Sequence, residues 1–229
     1  MPKFDVTKLN VAIDRALEGT QNPRHRFMLM AYSRHRYLEV AGRYEEIFAP
    51  EMMSMKPVYH MKAAGNDVTL SGQDNVKSLY RFWAETNQSI FFVEQEEVAV
   101  GDHFIASVAT MYQQVSGQGY KAGKLMSHLP GFVSHRVLER LLSAKEHKAD
   151  ENDMFLYHNT IQMIWPYDDR CRLIGEDVYE PEPENAELIK LDPADVLTTQ
   201  ESRRLLEPLI KPLPSYDEMV LGKEPAFVG

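Results

Sequence analysis

Cysteine is nearly absent from this chain: Cys171 stands alone among 229 residues, which excludes a disulfide framework and a cysteine-based zinc site. Positive charge is also scarce. Against 34 Asp and Glu there are 25 Lys and Arg, a net charge of -9. Binding to phosphate backbones needs clustered cations, so nucleic acid is not an expected partner. The local basic run from Arg24-His25-Arg26 to Arg34-His35-Arg36 is interleaved with Phe27, Met28, Leu29 and Tyr32, and reads as a helix with one charged face. No apolar run approaches the ~20 residues of a membrane span. The start, MPKFDVTKLN, lacks the apolar core of a signal peptide, so the cytoplasm is the expected compartment and no membrane partner is expected. The histidines lack HExxH or His-x-His spacing, which argues against a metal site. Gly117-Gln118-Gly119 lacks the strand and helix of a phosphate loop, and no Gly-x-Ser-x-Gly elbow supplies an acyl-enzyme nucleophile. No cofactor is expected.

What remains is an ordinary globular composition, 44% hydrophobic and 26% charged, enough for one sizeable core. Val6, Leu9, Ile13 and Leu17 space a short helix over residues 5–18, ended by Gly19. Asn22-Pro23 opens a second helix to about Ala41, with Asn as cap and Pro at the first helical position. Residues 52–61 read as a strand broken at Pro57. Asp74 caps a third helix to about Thr86, and 131–148 has the spacing of another, after a loop over 117–130. Met154 to Tyr167 and Arg172 to Tyr179 read as two strands joined at Asp168-Asp169. Helices followed by an antiparallel meander is an α+β order. Beyond Glu180, repeated prolines leave room for little more than a helix near Thr199–Leu206. That stretch is expected to be an extended arm packed on its own domain or on a neighbouring subunit.

The stretch Ile90–Val115 carries most information. It predicts two long strands meeting at Gly101-Asp102, a dipeptide suited to the positive φ of a tight turn. Polar groups recur along both strands. Simple alternation puts Glu97 on the face of Phe91, Val93 and Ala99. A carboxylate on an apolar face marks either a lined cavity or a bulge that changes the phase and turns Glu97 outward.

His35 through Phe48 (HRYLEVAGRYEEIF), Leu70-Ser71-Gly72 before a helix ending in Tyr80, Val98 to Asp102, and Leu173 to Tyr179 together resemble the nuclear transport factor 2-like (NTF2-like) superfamily, in its SnoaL-like branch. The resemblance covers about residues 22–180. It implies a cone-shaped α+β barrel, in which a curved antiparallel sheet wraps around helices and leaves an apolar pocket. Residues 1–21 would be an N-terminal helical extension, 22–180 the barrel domain with a helical insertion near 131–148, and 181–229 the Pro-rich arm. The family includes isomerases, dehydratases, cyclases, epoxide hydrolases and binding-only proteins, most of the enzymes working without a cofactor, so fold alone does not give the reaction. The aromatic- and Met-rich composition and long tail look like the bacterial diarylpropane lyases of lignin-dimer catabolism, which convert a 1,2-diaryl-1,3-diol to a stilbene and formaldehyde.

Candidate site residues follow from phase and from that resemblance. His60 ends the first strand beside Tyr59 and titrates near neutrality; it is otherwise a solvated loop histidine. Glu97, if desolvated, suits proton transfer. Tyr112 presents a phenol to a pocket or is a core tyrosine bonded to backbone. Arg81, beside Tyr80 and Trp83, binds a phenolate or lies on the surface. His158 shares a strand face with Thr160, Gln162 and Ile164, and Trp165 shares the opposite face with Tyr157, Ile161 and Met163. One face lines the pocket and the other builds a subunit interface, and spacing does not say which. Glu176 and Asp177 point to opposite faces, so at most one enters the pocket; the resemblance favours Asp177. His60, Glu97, Tyr112 and Asp177 are therefore the candidate catalytic set, with Tyr59, Arg81, His158 and Trp165 holding a small aromatic substrate.

The first functional hypothesis is a cofactor-independent, formaldehyde-releasing carbon–carbon lyase acting through a quinone methide. A second is an isomerase, dehydratase or epoxide hydrolase on another apolar ring compound. A third is a non-catalytic binding or assembly module. A homo-oligomer, dimer or trimer, is expected from the two-faced sheet and apolar tail.

Overall fold

The computed structural model describes residues 4–117, 141, 150 and 153–223. The readings of residues 118–130 as loop and 131–148 as helix fall outside them, Leu141 apart. In chain order the elements are α1 (Val11–Gly19), α2 (Pro23–Val40), β1 (Met53–Lys62), β2 (Val68–Ser71), α3 (Gln73–Glu85), β3 (Phe91–Val100), β4 (Phe104–Ser116), β5 (Met154–Pro166), β6 (Leu173–Tyr179), β7 (Glu187–Lys190), α4 (Thr199–Leu206) and α5 (Tyr216–Met219).

The helices start where local chemistry satisfies their free N–H groups. The Asn22 side chain accepts from the Arg24 and His25 backbone N–H groups, with Pro23 at the first helical position of α2. Gly42, at φ +63°, ends that helix in a conformation that side-chain-bearing residues avoid. In α3 the cap is Gly72 rather than Asp74, which lies within the first turn. The basic run does not form a charged face on α2. His35 and Arg36 are buried with Phe27, Met28, Tyr32 and Leu38, because α2 crosses the middle of the core.

The sheet runs β2-β1-β6-β5-β4-β3, with β7 paired to the first half of β5. It is curved and unclosed, β2 and β3 being its edges, so it is a half-wrapped sheet and not a sealed barrel. Nor is it wholly antiparallel: β1 and β6 run parallel. The chain passes through Pro57 without leaving the strand, because the β1–β6 register shifts between Met53 and Val58 and no ladder donor is needed from Pro57. The β3–β4 hairpin closes through Gly101–His103, Gly101 N–H donating to Phe104 O at 2.9 Å, and no residue of that turn has positive φ. The Phe104 ring lies against Gly101, and a Cβ there would displace that half-exposed ring.

A second register shift, between Val93 and Gln95 of β3, decides the site. This bulge inverts the alternation beyond it. Glu96 faces inward with its side chain 1% exposed, and Glu97 turns to solvent.

The C-terminal segment packs on its own domain and has the expected helix at Thr199–Leu206, but holds more regular structure than an extended arm. It forms β7, α4 and α5 and folds back on the helices. Ser202 Oγ donates to Val40 O at 2.9 Å, Arg203 reaches the carbonyls of Ala41 and Gly42, and Leu206 is fully buried. Val6, Leu9 and Ile13 from the N-terminal segment, and Leu191 and Leu206 from the C-terminal one, join the same core as α2, α3 and the inner sheet face.

Candidate active site

The inner face of the sheet and α2 enclose a cavity of about 60 Å³. Its walls are largely apolar and aromatic, with Tyr32, Tyr59, Phe91, Met163 and Trp165 among them. The fold brings three acidic or basic groups to this surface and a fourth, Glu96, behind it against Arg36. Arg36 and Glu39 come from α2, Glu96 from the bulged strand β3, and Glu176 from β6.

Arg36 and Glu96 neutralise each other. Arg36 Nη1 donates to both Glu96 carboxylate oxygens, at 3.0 and 2.8 Å, with the two side chains 3% and 1% exposed. The guanidinium lies over the rings of Tyr32 and Phe91, and Tyr32 OH donates a longer bond to Glu96 at 3.4 Å. A buried pair of this kind is strongly destabilising to break, because the survivor is left charged in an apolar medium.

Glu39 and Glu176 have no such partner. Glu39 comes no closer to a basic group than 3.9 Å from His35, and Glu176 makes no hydrogen bond or ion pair among the described residues. Burial pushes the Glu39 carboxyl up to about 8, Arg36 pulling the other way. Burial raises Glu176 well above the usual carboxylate range, and repulsion from Glu39 and Asp177 adds to it, again opposed by Arg36. Two carboxyl groups that hold protons near neutrality, beside a fixed cation, can give a proton to a substrate and take one back.

A hydroxyl relay leads away from the cavity. Tyr59 OH lies 3.3 Å from Tyr80 OH, which lies 2.8 Å from His35 Nε2. Burial and the neighbouring Arg36 lower His35 to about 3, so its imidazole is neutral. All three side chains are buried, and the relay fixes the orientation of the Tyr59 hydroxyl at the cavity wall.

The sequence-derived candidates divide among separate places. Tyr59 and Trp165 line the inner cavity. His60, Glu97 and Asp177 lie on the opposite sheet face, along an open groove of about 700 Å³. His60 Nδ1 and Asp177 Oδ1 are 2.6 Å apart there, but the side chains are 56% and 50% exposed, so their charges stay hydrated. Asp177 and Glu176 do face opposite ways, and it is Glu176 that enters. Tyr112 and His158 stack on each other at 4.2 Å near Glu94, away from both cavities, and Tyr112 also packs against Phe4. Arg81 is exposed and donates to Tyr44 OH at 3.3 Å. Glu39, Arg36 and Glu96 are the residues that pattern reading missed. One signal was present: Tyr32, Arg36 and Glu39 follow i, i+4, i+7 spacing, the stripe of a core-facing helix written in polar residues.

Among the described residues no group of three or more His, Cys, Asp or Glu is arranged to hold a metal ion, and no helix is long and apolar enough to cross a membrane. No family model and no curated protein sequence matches the chain. Among solved structures it is similar to an NTF2-like protein from Anabaena variabilis ATCC 29413, at 8% identity and a TM-score of 0.34, covering 63% of this chain and 89% of that one. It is also similar to a putative SnoaL-like polyketide cyclase from Shewanella putrefaciens CN-32 (7% identity, TM-score 0.38, 75% and 86% covered). A third is an epoxide hydrolase/cyclase-like enzyme with a role in pyran ring formation in the polyether salinomycin (6%, 0.39, 72% and 93%). Likenesses this distant concern general architecture and decide nothing about the reaction.

Proposed function

We propose that the chain is a cofactor-independent acid–base enzyme acting on a small, largely apolar ring compound, with Glu39 and Glu176 as the proton-transferring pair. The observation that carries this reading is the pair itself: two largely buried carboxyl groups, the Glu39 side chain 12% exposed, without a counter-cation of their own on the wall of an aromatic cavity. Storing two protons in apolar surroundings is costly for a fold and useful for a reaction. In such a site the protonated carboxyl donates to a substrate oxygen or departing hydroxyl. The other, kept within reach of ionisation by Arg36, removes a proton or activates water. Dehydration, double-bond migration and opening or closing of an oxygen-bearing ring all need only this.

A panel of cyclic epoxides, hydroxy ketones and unsaturated ketones, assayed with wild type, Glu39→Gln and Glu176→Gln, tests the proposal. Turnover by the wild type should fall about 100-fold or more in either variant, with the folded far-ultraviolet spectrum kept. Turnover retained within a few-fold in both variants would overturn it.

The narrower version is the formaldehyde-releasing lyase on a diaryl diol. Its support is the aromatic wall and the presence of both an acid and a base. Size weighs against it more than against a single ring: about 60 Å³ is room for a few waters, so the cavity must widen for any ring and much further for two aryl rings. Incubation with such a diol should give formaldehyde and a stilbene absorbance in equal amounts. Neither product, alongside turnover of a smaller ring compound, rejects the lyase and keeps the acid–base reading.

A further inference from the structure

Trp165 lines the same cavity with an indole only 3% exposed, and its Nε1–H has no hydrogen-bond partner among the described residues. The ring is held in place, its centroid 4.7 Å from that of Tyr32 and 4.9 Å from that of His35, the latter edge-on at 87°. A buried donor without an acceptor is costly, so one kept on a cavity wall points to an acceptor that arrives from outside. The remaining polar groups narrow what that acceptor belongs to. The Arg36 guanidinium is taken up by Glu96, the Tyr59 hydroxyl faces Tyr80, Tyr32 OH donates to Glu96 and the Gln113 amide donates to Gln88 O. Glu39 and Glu176, when protonated, add further donors, and when ionised they repel an anion. An ammonium ion would need both carboxyls ionised inside apolar walls, which desolvation opposes.

We infer that the substrate is a neutral ring compound bearing an acceptor oxygen, a ketone, cyclic ether or epoxide, and that Trp165 Nε1–H is the group that positions this oxygen beside the Glu39–Glu176 pair. This rests on the acid–base reading of the same cavity and gives it a substrate class. A donor fixed in that place also gains strength as negative charge develops on the oxygen.

The chain contains two tryptophans, Trp83 and Trp165, so its proton–nitrogen spectrum has two indole signals, and Trp165→Phe assigns them. Titrating the full-length protein at neutral pH with cyclohexanone, cyclohexylammonium and cyclohexanecarboxylate compares three probes of one size. The ketone should shift the Trp165 N–H signal downfield and saturably, with the ammonium and carboxylate binding at least about tenfold more weakly. Trp165→Phe should weaken ketone binding about five- to tenfold, the loss of one hydrogen bond. An unmoved Trp165 signal, absence of ketone binding, or tighter binding of the ammonium ion overturns the inference. Should Trp165→Phe fail to fold, Trp83→Phe assigns the two signals instead, a needed step because Trp83 lines the same cavity, and the shift in the wild type then decides. The two readings fail differently. A shifted indole with no turnover of any oxygenated ring rejects the acid–base reading, whereas Glu-dependent turnover with a static indole rejects the role of Trp165.

Discussion

Glu96 and Glu97 are sequence neighbours on opposite faces of β3. Glu96 Oε1 and Oε2 accept from buried Arg36, and Glu97 stands in solvent. Glu96→Ala should therefore cost roughly 3–5 kcal/mol in denaturant unfolding, since Arg36 is left buried and unpaired. Glu97→Ala should stay within about 0.5 kcal/mol. Equal effects would contradict the inverted phase of β3. Glu39 and His35 give a pH signature at the same scale. Glu39 rises from 4.5 to about 8 on folding, so between those values the folded state keeps a proton that the unfolded chain releases. Stability must then decline as pH rises across that window, by an amount on the order of a few kcal/mol. His35 falls from 6.5 to about 3, so the unfolded chain gains a proton first and stability declines as pH drops through that range. Glu176, raised as well, adds to the alkaline decline, so the three groups together place maximum stability near 4.5. Glu39→Gln should make the alkaline decline shallower, Glu176 keeping part of it, and leave the acid side unchanged, as read from unfolding midpoints at stepped pH.

Among the elements, those with chemical punctuation were legible from sequence and those without were not. The ends of α2 follow from Asn22-Pro23 and Gly42, and α4 was expected near Thr199–Leu206, where the structure adds a Thr198–Glu201 capping box. What α2 buries was not legible, because its core stripe is polar at Tyr32, Arg36 and Glu39. β2 and β7, four residues each, are too short to display a period. The bulge in β3 leaves no mark in the residues themselves, so alternation assigned the wrong glutamate to the interior. The parallel pairing of β1 with β6 is a long-range choice that local pattern does not carry. Its close fit is testable at Gly175, where an added Cβ would collide with the Val58 backbone carbonyl. Gly175→Ala should destabilise by about 1–3 kcal/mol or more, and by shifting β6 it should also disturb Glu176. A neutral Gly175→Ala in thermal unfolding would mean that β1 and β6 do not approach as described.

At the scale of the whole molecule, the chain ends complete the core that the site depends on. The C-terminal segment passes over α2, and its α4 packs near the end of the helix that supplies Arg36 and Glu39. An arm free in solution would make Leu206 indifferent to substitution. Docked as it is, Leu206→Ala should cost about 2–5 kcal/mol, measured by chemical denaturation. The outer groove with His60 and Asp177 and the inner cavity with Glu39 and Glu176 lie on opposite sides of one sheet. Sequence reading found residues of both and assigned the chemistry mainly to the outer set, Glu97 by uninterrupted strand phase and Asp177 by the family resemblance. Burial separates the two places, and burial is a property of the assembled fold.

The central claim is that Glu39 and Glu176 are largely buried acids that keep their protons near neutrality. Carbon-13 carboxyl titration of the folded protein, with Glu39→Gln and Glu176→Gln to assign the signals, measures this without a substrate. The account predicts that Glu39 releases its proton near 8 and that Glu176 stays protonated through neutral pH. Two signals titrating together at the ordinary glutamate value of 4.5 would contradict it.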